Sequence, residues 1–150
     1  MKSKLTALLL YAITITALAK AGAYIPTQQQ ILAELSQRSG LSIDNLQNLL
    51  ADCDADQQSM YFCAYSDEVV ADLKLQHTLS LKQQQLPHCQ TKLLDQVESW
   101  ENKRDSSCAQ SAAKEWGDGS MKPTAELVCS TAETNRFEKQ LEKMANCPRG

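Results

Sequence analysis

The chain has 150 residues, enough for one domain, and its 15 basic and 18 acidic residues give a formal net charge of −3. An acidic chain lacks the basic face that nucleic-acid binding demands, so that class of partner is set aside. Only 5% of the residues are aromatic, so a core built here depends on aliphatic packing and on reinforcement from elsewhere.

The first residues read as a leader, not as part of the fold. Lys2 and Lys4 precede an uncharged apolar run from Leu5 to Leu18, followed by small residues. That is the three-part pattern of a secretory signal peptide, and the run is shorter than the ~20 residues of a membrane-spanning helix. The pattern assigns residues 1–21 to the leader, with cleavage after Ala19 or Ala21. It predicts a periplasmic or secreted protein with no membrane attachment once the leader is gone. Losing Lys2 and Lys4 takes the charge from −3 to −5, and losing Lys20 as well takes it to −6. Such a surface draws basic partners.

Residues 22–51 read as a short helical lead-in. Thr27 caps a helix through about Ser39, with Ile31, Leu32 and Leu35 as its apolar stripe and Gly40 as its stop. Ser42 caps a second short helix carrying Ile43, Leu46, Leu49 and Leu50. Export and acidity argue against reading this pair as a DNA-binding helix-turn-helix. Two roles stay open for it: packing on the main hairpin, or serving as a mobile lead-in.

The remaining stretch, 52–150, reads as the main domain. Asp52, Asp54 and Asp56 look like the start of a calcium loop, but Gln57 and Cys63 stand where an EF-hand needs its glycine and its bidentate glutamate. The acids instead suit the N-terminus of a helix starting near Gln57 to Ser59, whose dipole they complement. That helix runs to about Gln84. Its apolar positions, among them Phe62, Val69, Leu73 and Leu79, are mostly three or four apart and form a broad stripe suited to packing on other helices. Gln83 to Gln85 and Pro87 end it.

Two more helices follow, from about His88 to Trp116 and from Thr124 to about Asn146. Gly117 and Gly119 stop the first, Ser120 or Thr124 caps the second, and Pro123 suits its opening turn. Trp100, Arg104 and Cys108 stand four residues apart each time and share one stripe. When two helices fold back about Asp118, facing residues have position numbers that add to a constant. Cys108 with Cys129 and Cys89 with Cys147 give nearly the same total. This register favours those two disulfides among the pairings that six cysteines allow, and it leaves Cys53 for Cys63, about one turn inside its helix. It also sets Trp100 near Arg136 and Phe137, and Arg104 either over the Trp100 face or beside Glu133. An even cysteine count in an exported chain reads as disulfides, and neither His77 nor His88 falls in a metal-ligand spacing, so no metal or cofactor is expected. With no segment patterned as a strand, the predicted class is all-α: a disulfide-stapled antiparallel helical hairpin, a third long helix packed against it, and a short N-terminal helical pair.

The run Trp100, Arg104, Asp105, Cys108, then Gly117, Gly119, Ser120 and Pro123, then Cys129, Thr134 and Arg136, resembles the N-terminal domain of the LprI-like lysozyme-inhibitor family. Asp52 and Cys53 through Cys63, then Ala71, Asp72 and Leu75, extend the likeness over about Asp52 to Leu141. The chain departs from the family's Leu-Asn-x-x-Tyr, with Leu75, Gln76 and Leu79 at the matching positions. The resemblance implies an exported, disulfide-bonded helical protein that inhibits lysozyme by binding and steric occlusion. The alternative is a periplasmic interaction or envelope-maintenance module with a different ligand. No nucleophile–base set marks an enzyme. The expected partner is a protein, a basic lysozyme, with candidate contacts Asp67, Glu68 and Asp72 on the first long helix and Asp118, Ser120 and Met121 at the hairpin turn.

Overall fold

The computed structural model describes residues 23–148; the leader assigned to residues 1–21 and its cleavage position lie outside them. Five α-helices appear among the described residues, and no strand. Helix α1 (Gln28–Ser39) starts at a reciprocal cap: the Gln30 amide donates to Thr27 Oγ1 at 3.2 Å, and the Thr27 amide donates to Gln30 Oε1 at 2.8 Å. It stops at Gly40, whose φ of 74° is the left-handed conformation that favours glycine. Ser42 caps α2 (Ile43–Leu49). Asp56 caps α3 (Gln57–Gln85), accepting from the Ser59 amide at 2.7 Å. A short 3-10 turn over Pro87–Cys89 reverses the chain into α4 (Gln90–Trp116). A second reversal leads to α5 (Lys122–Glu142).

The start of α5 differs from the sequence expectation. Neither Ser120 nor Thr124 caps it through a side chain; Met121 holds the cap position. The turn winds straight into the helix, with the Lys122 amide donating to the Gly119 carbonyl and the Ala125 amide to the Met121 carbonyl, each at 3.0 Å. Pro123 then stands in the first turn, where no N–H is needed. The helix also ends at Glu142 and not near Asn146, and the residues beyond it bring Cys147 to Cys89.

Helices α4 and α5 form an antiparallel hairpin tied twice. Cys108–Cys129 and Cys89–Cys147 have Cα separations of 5.5 and 5.2 Å, and Cys53–Cys63 fastens the lead-in of α3 to its first turns. Helix α3 lies mainly along α5 and touches α4 little. It runs parallel to α5, and the contacts keep one register throughout. The Gln57 side-chain amide donates to the Ser120 carbonyl at 2.6 Å, Ser130 donates to Glu68, Thr78 donates to Glu138 at 2.8 Å, and Lys82 donates to the Met144 carbonyl at 2.9 Å.

Two apolar clusters hold these elements. One joins Leu75 of α3 to Leu93 and Val97 of α4 and to Phe137 and Leu141 of α5, around the buried Cys89. The other joins Leu32 and Leu35 of α1 and Leu46 of α2 to Phe62 and Val69 of α3. Leu35, Leu46 and Val69 are fully sealed, and each fully buried side chain of this size contributes about 1.5–3 kcal/mol. The N-terminal pair takes neither of the two roles left open for it: it packs, but on α3 and not on the hairpin of α4 and α5, because Phe62 and Val69 of α3 present the apolar face that Leu32, Leu35 and Leu46 cover.

Candidate functional site

The stripe Trp100, Arg104, Cys108 meets its partners at three successive heights of the hairpin. Trp100 lies flat on Phe137, with 4.2 Å between ring centroids and 6° between planes. The Arg104 guanidinium sits 5.0 Å from the Trp100 ring centroid and donates to Thr134 Oγ1 at 2.9 Å. One turn on, Cys108 is bonded to Cys129. Of the two positions foreseen for Arg104, the indole face is the occupied one; Glu133 instead receives Arg136, at 2.6 Å on the surface.

Arg104 also donates to Asp105 at 2.8 Å and approaches Asp72 at 3.4 Å. The second oxygen of Asp72 accepts from Arg38 at 2.7 Å, and Arg38 holds Glu34 at 2.8 Å. Asp72 therefore joins α1 to α4 across α3. Burial disfavours charge on both arginines. For Arg38 the hydrogen bonds with Asp72 and Glu34 outweigh it, and for Arg104 the bond to Asp105 and the nearby carboxylates do, so both pKa values end raised. Charge-assisted bonds of this kind contribute about 1.5–3 kcal/mol where they are shielded. Among the family-motif residues, Thr134 is completely buried, Arg104 is half-buried, and Asp105 and Arg136 face solvent. This network has the chemistry of a brace. Sequence reading missed Arg38, although Glu34 and Arg38 stand at the spacing of a helical ion pair.

The six candidate contact residues divide into two groups. Glu68 and Asp72 turn inward. Glu68 accepts from Ser130, and burial pushes its carboxyl above the ordinary range against the opposing pull of that bond; Asp72 is held between two arginines. Asp67, Asp118 and Ser120 are exposed, and Met121 is half-buried. Asp67 and Met121 meet in an open cleft of about 610 Å³ lined by α3, α4 and α5 at the turn end of the hairpin.

The cleft owes its room to small side chains, Ala64, Ala112 and Ala125, one from each helix. Its apolar rim is supplied by Met60, Trp116 and Val128, which stay 37%, 43% and 58% exposed. Gly117 ends α4 at φ 56°, leaving Trp116 as the last helical residue. Gly119 is needed for space: a Cβ there would lie 2.8 Å from the Trp116 carbonyl oxygen. Asp67 and Glu115 line the cleft, and no basic side chain among the described residues does. Sequence reading missed Met60, Glu115, Trp116 and Val128 because they come from three helices and share no local spacing.

One group of potential metal donors, His88 with Cys89 and Cys147, gathers within 4.8 Å, but the two sulfurs are bonded to each other and leave the histidine as the sole free donor of the three. No helix among the described residues is long and apolar enough to cross a membrane. A family model described as Lysozyme inhibitor LprI matches residues 51–141, more than half of the chain and all of α3, α4 and nearly all of α5. No curated protein and no solved structure gives a match.

Proposed function

We propose that this chain, which belongs to the LprI lysozyme-inhibitor family, is exported, loses residues 1–21, and inhibits a lysozyme by binding it and occluding its cleft. The observation that carries this reading is that the family match covers the stapled three-helix body from Cys53 to Leu141. A rigid body suits the role, because a binder already ordered when free loses less conformational entropy on association. The protein does no chemistry in this reading: it blocks a glycosidase whose paired carboxylates must reach a polysaccharide. Its acidity supports a basic enzyme as target, since opposite net charges speed encounter. The binding face lies at the turn end, where Asp67, Asp118, Ser120 and Met121 are accessible. The helical pair within residues 22–51 braces α3 from behind.

A turbidity assay tests the proposal. Protein from residue 22 onward is added at micromolar concentration to a basic lysozyme digesting bacterial cell walls. Lysis is expected to slow, and added salt to relieve the effect as it screens the attraction. Unchanged lysis at low salt removes this enzyme as the target.

A further inference from the structure

The turn-end cleft carries a more specific statement about what sits in it. Three of the large apolar side chains left exposed on the described residues, Met60, Trp116 and Val128, converge there from three different helices. Scattered exposed apolar residues need no explanation, but a contiguous patch rimmed by polar groups marks an interaction site. Tryptophan and methionine are also enriched at the centres of protein interfaces, where an aromatic anchor fills a pocket and charge stays at the rim.

The electrostatics select the occupant. Asp67 and Glu115 stand in the lining with no cation among the described residues opposite them. A second copy of this chain meeting the cleft face to face brings the same carboxylates together, which is unfavourable. A saccharide needs many fixed hydrogen-bond groups, and beyond Asp67 and Glu115 this lining offers only the hydroxyls of Ser111, Thr124 and Thr131 among alanine, valine, methionine and indole. What fits is an apolar side chain whose sequence neighbour is cationic.

We infer that the cleft between α3, α4 and α5 receives a surface loop of a basic protein partner, one apolar side chain seated among Met60, Trp116 and Val128 and an adjacent lysine or arginine paired with Asp67 and Glu115. The inference rests on the lysozyme-binding reading for its partner and adds the place and chemistry of contact. The alanines set the depth, and Cys129 in the lining, bonded to Cys108, fixes the separation of α4 and α5 beside them.

The chain contains two tryptophans, so the ¹⁵N-labelled protein gives two indole signals, one from the stacked Trp100 and one from Trp116. On titration with unlabelled basic lysozyme, the Trp116 signal is expected to shift while Trp100 stays in place. In parallel, the charge-reversed D67K/E115K and the obstructed V128R are expected to bind at least tenfold more weakly. D95K/E98K, which reverses two exposed carboxylates toward the other end of α4, is expected to lose less than threefold. Wild-type binding that leaves Trp116 unmoved, with both cleft variants retaining full affinity, overturns the inference and leaves the inhibitor reading standing. An absence of wild-type binding removes this lysozyme as the partner and overturns the inference with it. Sedimentation showing a wild-type dimer that V128R abolishes gives the cleft to a second copy and also overturns the inference.

Discussion

The two tryptophans of α4, one near its middle and one at its last residue, have opposite fates. Trp100 stacks on Phe137, carries the Arg104 guanidinium over its ring, and packs against a sealed cluster that includes Leu93 and Leu141. Trp116 stays 43% exposed beside alanines. Each half of the hairpin has its own disulfide, but only the open end couples it to a core of large side chains; at the turn end the Cys108–Cys129 bridge stands beside small ones. Within the hairpin the large buried side chains of α4 and α5 gather toward the open end, and apolar surface is left uncovered at the turn end. A binding protein needs both, since the surface that recognises a partner is by definition not spent on holding the fold.

That contrast is open to test. The largest effect is expected at the open end, where C89S/C147S removes a loop constraint spanning 58 residues; chemical denaturation should show a loss of about 4 kcal/mol, against about 3 kcal/mol for C108S/C129S, which spans 21. A larger loss at the turn end would reverse the comparison. Next, W100A deletes the ring stack and the surface over which Arg104 lies, and is expected to cost about 3 kcal/mol in the same measurement. Asp72→Asn comes third at about 2 kcal/mol, because Arg38 and Arg104 lose a shared carboxylate while each keeps a second one. Its thermal melt should also show the N-terminal pair loosening first.

Glu68→Gln gives a smaller, pH-dependent effect. Burial raises the Glu68 pKa above its ordinary value of 4.5 in the folded state. Below that value both folded and unfolded chains hold the proton, and the group makes no difference. As pH rises from there through the folded pKa, the unfolded state gives up its proton first, so the wild type loses stability. The variant does not titrate and still accepts from Ser130. Its melting temperature is expected to exceed that of wild type at pH 7, with the gap closing as pH falls toward 4.5. The smallest effect belongs to W116A: stability within about 0.5 kcal/mol of wild type, as for a surface change, with lysozyme affinity reduced. A W116A variant that unfolds would show that the turn end carries the fold after all.

Much of the architecture was readable from residues alone. Caps and stops are local, so Thr27, Gly40, Ser42 and Gly117 announce helix ends without reference to anything distant. The hairpin register was readable for a different reason. A disulfide needs its two Cα atoms within a few ångströms, so cysteines mirrored about the turn report a tertiary distance directly. The Trp100–Phe137 stack followed from the same mirror. The candidate site was less legible: Asp67 and Met121 were singled out for charge and for position at a turn, while Trp116 and Val128 were passed over.

Sequence by itself determined an all-helical, stapled hairpin with its motif stripe facing inward, because each of those features depends on spacing along one helix or on a symmetric pair of cysteines. Only the tertiary structure decided that α3 runs parallel to α5, that Asp72 is held by arginines from two other helices, and that apolar side chains from three helices meet in one acidic cleft. A helix's own pattern shows which residues share a face. It does not show which neighbour covers that face or which part is left open, since that depends on the shapes of elements far away in the chain.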